Sequence, residues 1–509
     1  MSAERLGIVA AEAAPHTFQF LASRPVKVGE YVVVRAPEGD VLGFVEASVI
    51  KSSLMESARN YQAAVEAKDA ASKNPRDKSN LASVKVLGLM EHLTAGVPFM
   101  PSLPPEPGAD VNEASGAALN GIFSRDGREW IRIGRLLRNS DVPVSANLNK
   151  IAARHLAVLA TTGSGKSNLL ALLAKRVGES NGTMLIFDYQ GEYSDLSLRN
   201  IVQSRAKVNP KLLDVEKLAD MLDIGESASK QRSMLSSTFT KDVKESSDFW
   251  ASLLKELQSV SRDEESTADD RRVADRLVEI IERARRRKGR VLDPDIGDPL
   301  DQIRPNCVNV LNMLELTEMQ AATVIPYYLS EVLEDRKIAR RMRLAREKST
   351  DAKVRFNTPV VVAIEEAHSF LPVDRNTDAK YMASKIAREG RKFGVSLIII
   401  SQRPSRVDQD VLSQMGSLAV SRITQPKDQS YIVESSELVT EELASYLPSL
   451  NVGEVLLLGQ WVTLPSMAKV DKVEEKLLGA DIDAVSEWRE DVKLPTVAHE
   501  RTSELIKRR

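Results

Sequence analysis

The sequence predicts an α/β protein, in which a parallel β-sheet follows a small N-terminal β-barrel and is interrupted by an inserted helical bundle. Three observations predict this arrangement. Residues 156–171 comprise a short apolar run, a turn of small residues and an apolar-periodic helix. Val360–Ile364 and Val395–Ser401 are apolar runs of strand length, and polar residues follow each directly. Short strands with tight turns fill the first hundred residues, whereas residues 211–300 are charged and helical.

The N-terminal β-barrel is predicted at residues 1–97 and shows no catalytic constellation, which favours a docking or assembly role. Its expected strands are residues 6–9, 17–21, 31–35, 41–50 and 82–89, with a charged helical segment at 55–73. Residues 98–130 begin with five prolines in ten positions, so we expect a linker there.

The sheet domain is predicted in two parts, residues 131–210 and 301–472, on either side of the helical bundle at 211–300. The tail, residues 473–509, is predicted to be a charged helix followed by an extended segment. Two basic clusters, at 283–290 and 336–346, are candidates for contact with a phosphate backbone. Solvated helix faces explain such clusters equally well.

Length and composition favour a multidomain protein without membrane spans, disulfides or zinc clusters. A chain of 509 residues is long enough for about three domains. No apolar run approaches the ~18–20 residues of a membrane span, and the first residues lack a secretory signal, so we expect a cytoplasmic protein without membrane contact. One cysteine and five histidines argue against disulfides and zinc clusters. The net charge of −2 restricts any nucleic-acid contact to a local basic surface.

Residues 160–168 are predicted to form a phosphate-binding loop. Glycines let backbone N–H groups surround a polyphosphate, and the following helix adds the positive end of its dipole. Lys166 is expected to neutralise the β- and γ-phosphates, and the Ser167 hydroxyl to ligate Mg²⁺. Ala160 replaces the first glycine of the G-x-x-x-x-G-K-[ST] pattern, and a turn that merely contains lysine is the alternative. The predicted nucleotide-binding residues are Thr162, Gly163, Ser164, Gly165, Lys166, Ser167 and Asn168.

Two further strand ends supply candidate catalytic groups. Glu365 and Glu366 follow the apolar strand Val360–Ile364, where Glu365 is placed to hold Mg²⁺ through water and Glu366 to polarise the attacking water. Aspartate is the commoner residue on the metal side. Gln402 directly follows the strand Val395–Ser401 and is expected to sense the γ-phosphate or the lytic water. An ordinary polar residue of a turn is the alternative interpretation.

Two arginines are candidates for stabilising the transferred phosphoryl group. Arg391 ends the helix before Val395–Ser401, and Arg154 precedes the phosphate-loop strand, so both are expected at the amino-terminal edge of the sheet. A five-residue strand spans about 16 Å. We therefore expect these arginines to serve the nucleotide of an adjacent protomer in a head-to-tail ring.

The motifs together resemble the HerA family of the FtsK–HerA superfamily. The resemblance rests on A-T-T-G-S-G-K-S-N at 160–168, D-Y-Q-G-E-Y at 188–193, V-V-V-A-I-E-E-A-H at 360–368, G-R-K-F-G at 390–394 and S-Q-R-P-S-R with D-V-L-S-Q at 401–414. It implies a RecA-like P-loop NTPase core and a tail that braces the next subunit. It also implies a homo-hexamer that hydrolyses ATP with Mg²⁺ and translocates along double-stranded DNA as a helicase, in the cytoplasm in association with the nucleoid.

The same resemblance implies a NurA-type nuclease as partner, docked on the barrel, and a function in DNA end resection during double-strand break repair. An ATPase subunit of an anti-phage defence complex is the alternative within related proteins. A polypeptide-handling ring ATPase would need aromatic pore loops, and the chain is only 5% aromatic. A scaffold whose nucleotide hydrolysis only times the release of a partner is a further alternative. No N-K-x-D guanine motif is evident, which favours ATP.

Overall fold

The N-terminal domain is a closed six-stranded β-barrel with the strand order β1-β2-β5-β4-β3-β6. The computed structural model describes residues 4–475 apart from 75, 346–353 and 437, together with residues 485, 486 and 488. Alternation along the strands fills the barrel, as in β2, where Phe18 and Phe20 are buried between exposed neighbours. The strands are β1 (Arg5–Ala14), β2 (Thr17–Ala22), β3 (Tyr31–Ala36), β4 (Gly39–Ser52), β5 (Lys78–Leu89) and β6 (Asp110–Glu113).

The segment expected to be a linker belongs to the fold. Strand β6 lies within residues 98–130 and closes the barrel by pairing with β1 and β3, and Val111 on it is fully buried. Helix α4 follows, and its Phe123 packs against Tyr31 with ring centroids 5.0 Å apart. The linker prediction was wrong because a four-residue strand among prolines shows no periodicity. The helices here are α1 (Ser53–Glu56), α2 (Tyr61–Lys73), α3 (Met90–Thr94) and α4 (Gly116–Phe123).

The second part of the chain is built on an eleven-stranded sheet with the order β11-β12-β10-β13-β14-β9-β15-β16-β17-β7-β8. The pairs from β11 to β15 are parallel, whereas those from β15 through β16, β17 and β7 to β8 are antiparallel. The strands are β7 (Trp130–Leu136), β8 (Pro143–Asn147), β9 (Leu156–Leu159), β10 (Thr183–Asp188), β11 (Ile201–Arg205), β12 (Val308–Asn312), β13 (Val360–Ile364), β14 (Val395–Ser401), β15 (Ser417–Val420), β16 (Glu454–Gly459) and β17 (Ser466–Val470).

Helices cover the sheet, and five α-helices lie between β11 and β12. These five are α7 (Val215–Met221), α8 (Ser229–Thr238), α9 (Lys241–Glu245), α10 (Phe249–Arg262) and α11 (Ala268–Lys288). The others are α5 (Leu148–Arg154), α6 (Lys166–Glu179), α12 (Glu318–Ala345), α13 (Ala367–Phe370), α14 (Asp378–Phe393), α15 (Gln409–Ser413), α16 (Pro426–Ser435) and α17 (Glu441–Tyr446). The last residue of the basic cluster predicted at 336–346, and most of the tail at 473–509, lie outside the described residues.

Candidate active site

Three adjacent parallel strands bring the predicted residues to one edge of the sheet. Strand β14 lies between β13 and the phosphate-loop strand β9, with Ile364 opposite Ile399 and Leu159 opposite Ser401. Because the strands are parallel, the residues that follow them emerge at the same carboxyl edge. Ligands bind at that edge in open α/β sheets.

The phosphate loop has the backbone shape that its glycines predict. Gly163 and Gly165 have φ values of 72° and 102°, in the left-handed region that favours glycine. A Cβ atom on Gly165 would lie 3.2 Å from the Gly453 backbone nitrogen, so the close approach of that backbone also favours glycine at position 165. Ala160 is fully buried and donates its N–H to the Ser401 carbonyl at 3.1 Å. The missing first glycine is therefore accommodated inside the sheet.

Lys166, Glu366 and Gln402 form one hydrogen-bonded network, in which Lys166 and Glu366 are buried and Gln402 is partly exposed. Lys166 Nζ donates to Glu366 Oε1 at 3.3 Å, and Gln402 Nε2 donates to the same oxygen at 2.7 Å. The Thr162 hydroxyl donates to Gln402 Oε1, which connects the phosphate loop directly to the residue at the end of β14. Lys166 also lies 3.9 Å from Glu192. Of the three groups predicted to surround a triphosphate, Lys166 and Gln402 thus both contact Glu366.

Asp188 and Glu365 form a second acidic group beside this network. Both are almost fully buried, and Asp188 Oδ2 accepts from the Tyr193 N–H at 3.0 Å. Burial, together with the charges of Asp188 and Glu192, raises the pKa of Glu365 well above its usual value. Burial likewise raises the pKa of Asp188. The sequence showed Asp188 and Glu192 only as parts of a motif, and the pairing of β10 with β13 gives them a place in the site.

This donor set fits Mg²⁺. The ion prefers oxygen ligands and is usually held by one or two carboxylates together with substrate phosphates and water. Glu365 supplies a buried carboxylate close to Lys166. Ser167 follows Lys166 directly, in the first turn of helix α6. No cluster of three or more His, Cys, Asp or Glu suited to a metal occurs within the described part of the chain.

His368 is a member of the site that sequence reasoning missed. Its Nδ1 lies 3.3 Å from Glu366 Oε2 and 3.3 Å from the Ser401 hydroxyl. Burial lowers its pKa, and the neighbouring Arg403 and Arg406 lower it further against the opposing effect of Glu366. The signal was present in the sequence, because His368 follows the carboxylate pair by two residues at the first turn of α13.

The two candidate arginines lie at the opposite edge of the sheet. Arg391 is exposed in the last turn of α14, before β14 begins, and Arg154 is the last residue of α5, before β9. The strand directions therefore separate both from the phosphate loop of their own chain. Arg403 and Arg406 are exposed at the nucleotide edge, directly after Gln402, and were not predicted.

Three expected ligand contacts differ in the structure. Asn168 donates to the Asp471 carbonyl at 3.0 Å and accepts from the Val473 N–H at 2.9 Å, so its side chain holds that segment. Arg336 is buried, and its guanidinium donates to the carbonyls of Phe356 and Phe393. Lys288 is buried against Asp223 at 2.7 Å. Arg336 and Lys288 therefore leave the set of residues available to DNA, and Arg346 lies outside the described residues.

The fold and the site define a P-loop NTPase in which one strand separates the phosphate-loop strand from the carboxylate strand. Comparison with known proteins gives the family. Residues 131–332 match the central domain of helicase HerA. The chain is 36% identical over 495 residues to the DNA double-strand break repair helicase HerA of Saccharolobus solfataricus, with 95% of each chain covered. It is 31% identical over 543 residues to the protein of the same name from Pyrococcus furiosus, covering 95% of this chain and 97% of that one.

The chain belongs to the HerA family. Its fold is similar to that of VirB4 from Thermoanaerobacter pseudethanolicus, with a TM-score of 0.50 and 16% identity, over 70% of this chain and all of that one. The predicted α/β fold with its P-loop core is thereby confirmed. Within the described residues, no helix combines the length and apolar character needed to cross a lipid bilayer.

Proposed function

We propose that this protein is an ATP-driven helicase and translocase for double-stranded DNA that acts as a hexameric ring. The observation that carries the proposal is the convergence of Lys166, Glu366 and Gln402 within hydrogen-bonding distance, on three adjacent strand ends. The relatives at 31–36% identity are named as helicases of DNA double-strand break repair, which supports DNA as the substrate.

The residues have separate roles in hydrolysis. Lys166 exchanges its contact with Glu366 for the β- and γ-phosphates when ATP binds. Glu366, freed from the lysine, then accepts a proton from the attacking water as general base. Gln402 orients that water or the γ-phosphate, since its amide already reaches both Glu366 and Thr162. Ser167 and Glu365 would hold Mg²⁺, and the ion would supply positive charge to the phosphates.

Arg154 and Arg391 complete the neighbouring site. Each arginine lies one strand length from the phosphate loop of its own chain. In a head-to-tail ring, both would therefore reach the nucleotide bound by the neighbouring protomer. Guanidinium groups placed in trans stabilise the charge on the transferred phosphoryl group. Hydrolysis would then depend on assembly, which links nucleotide turnover to ring closure.

We assign the contact with DNA to exposed basic side chains at the ends of two helices. The docking site of the partner nuclease is assigned to the N-terminal barrel. Helix α11 ends in the exposed arginines 283, 285, 286 and 287, and exposed arginines also occupy the end of α12. Such side chains grip phosphates irrespective of base sequence. A NurA-type nuclease docked on the barrel would couple translocation to DNA end resection, in the cytoplasm in association with the nucleoid.

The test is the ATP hydrolysis rate of the purified oligomer with and without duplex DNA, across a range of salt concentrations. A translocase is stimulated several-fold by DNA, and the stimulation falls steeply between 50 and 200 mM salt. Glu366→Gln serves as the control for contaminating ATPases. Stimulation by a protein partner alone, with no response to DNA, would contradict the proposal and favour a nucleotide-timed scaffold.

A further inference from the structure

His155 occupies an unusual position at the amino-terminal edge of the sheet, opposite the nucleotide site. It lies between Arg154 and the first residue of β9, and its side chain is buried with 3% exposure. Its backbone has φ 61° and ψ 157°, a combination that is close to glycine-only. A residue with a Cβ atom holds such a conformation only when its surroundings fix it.

The imidazole ring makes the contacts that fix it. Leu397 of β14 donates its N–H to His155 Nδ1 at 3.0 Å. The ring also bonds to the carbonyl of Ala387 in α14, and with Nδ1 acting as acceptor it is Nε2 that donates. Burial lowers the pKa of His155 to about 4, so the ring is neutral and keeps one donor and one acceptor near neutral pH.

The register of β9 against β14 shows that the His155 ring takes the place of a backbone hydrogen-bond acceptor. The β9–β14 ladder begins with Leu156 opposite Ile398, which places His155 opposite Leu397. At this position the side chain accepts a strand N–H in place of a backbone carbonyl. The strand pairing is thereby extended by one residue, up to the position next to Arg154.

Helix α14 is fixed at the same point. A Cβ atom on Gly390 would lie 2.3 Å from the Val395 carbonyl oxygen, so the end of α14 that carries Arg391 lies directly against the start of β14. Helix α14 also packs against α5 and β14. Arg154 at the end of α5 and Arg391 at the end of α14 therefore lie on elements that pack against each other. His155 joins these elements, because its ring bonds to both β14 and α14.

We infer that His155 is a positioning residue that couples the nucleotide site at one end of β9 and β14 to Arg154 and Arg391 at the other. The same two strands end in the phosphate loop and in Gln402, so a shift of either strand when nucleotide binds is carried to both arginines. The inference rests on the proposed function, in which these arginines act on the neighbouring protomer.

Mixed oligomers test the inference. Lys166→Ala protomers turn over no ATP but retain their arginines, whereas protomers carrying Arg154→Ala and Arg391→Ala retain their nucleotide site. Mixing the two is expected to raise ATP hydrolysis at least tenfold above either protein alone. Adding His155→Gly to the Lys166→Ala protomer is expected to reduce this gain tenfold or more, because that protomer only donates arginines.

The matched control places His155→Gly in the arginine-deficient protomer, where the gain is expected to change less than threefold. A merely local role of His155 in its own phosphate loop gives the reverse pattern and overturns the inference. No gain in the mixture without any His155 substitution shows that the arginines do not act in trans, and the inference then fails together with that part of the proposed function. If His155→Gly does not assemble in size-exclusion chromatography, His155→Ala, which has no side-chain acceptor for the Leu397 N–H, is judged by the same outcomes.

Discussion

Replacing Glu366 by glutamine separates nucleotide binding from hydrolysis. In the structure, Glu366 Oε1 accepts from Lys166 at 3.3 Å and from Gln402 at 2.7 Å, and the side chain is 6% exposed. ATP competes with this carboxylate for the lysine. Glutamine keeps the shape of the side chain and removes its charge and most of its basicity.

The expected magnitudes follow from these contacts. At 3.3 Å and an effective dielectric constant of about 20, the attraction between Lys166 and Glu366 is on the order of 5 kcal/mol. The desolvation of two buried charges offsets most of this attraction. A net change of about 1.4 kcal/mol suffices for ATP to bind about tenfold more tightly to Glu366→Gln. Loss of the general base is expected to slow hydrolysis by a factor of about 100 to 10,000.

The assay combines equilibrium binding of a fluorescent ATP analogue with single-turnover hydrolysis of ATP by the assembled oligomer. Glu192→Gln is the matched control, since Glu192 also lies near Lys166, at 3.9 Å, and follows β10, whereas the proposed base Glu366 follows β13. Its hydrolysis rate is expected to stay within tenfold of wild type. Weaker nucleotide binding by Glu366→Gln, or hydrolysis within tenfold of wild type, would refute the assignment of the lysine contact and of the base.

Three further predictions concern other parts of the chain. Gln402→Ala is expected to slow steady-state ATP hydrolysis about 10- to 100-fold with nucleotide affinity within threefold, since it removes the donor to Glu366 and leaves Lys166 and the phosphate loop in place. The pKa of His155 falls from 6.5 in the unfolded chain to about 4 in the folded one. Its contribution to the free energy of unfolding is therefore fully present above pH 6.5 and is lost as the pH falls towards 4, by up to about 1.4 kcal/mol per pH unit. In chemical denaturation, His155→Gln is expected to remove this pH-dependent contribution. Arg286→Ala is expected to weaken duplex DNA binding and to lower its salt slope by about 0.9 in titrations. Arg276→Ala is expected to change neither, because this exposed arginine, which like Arg286 is paired with an acidic neighbour, lies nearly three turns earlier on α11 and outside the basic cluster at 283–290.

Each of these predictions has a contradicting outcome. Weakened nucleotide binding by Gln402→Ala would make the glutamine a binding residue. An unchanged pH dependence in His155→Gln would mean that the histidine is not buried as a neutral ring. Equal effects of Arg286→Ala and Arg276→Ala would indicate general charge loss and no DNA contact at the end of α11.

The phosphate loop, the carboxylate pair and Gln402 were predictable because their signals are local. A glycine-lysine spacing after an apolar run, and polar residues at the ends of apolar runs, are visible without knowing which strands pair. The parallel order then follows from the helices between the strands.

The remaining features depend on pairing between distant segments. Strand β6 and the antiparallel arm formed by β16, β17, β7 and β8 are joined by contacts that no local pattern encodes. The same reason hides the contact of Asp188 with Glu365, which depends on β10 lying beside β13. The burial of Arg336 was missed because a basic helix suggests a solvated face, whereas this guanidinium satisfies two backbone carbonyls.

The most direct test of the central claim is displacement of a third strand annealed in the major groove of duplex DNA by the assembled protein. A motor that moves along the duplex is expected to release the third strand with ATP and Mg²⁺, and to release none with Glu366→Gln or with an ATP analogue that resists hydrolysis. DNA-stimulated hydrolysis that leaves the third strand in place would contradict translocation, even if every contact at the nucleotide site is as described.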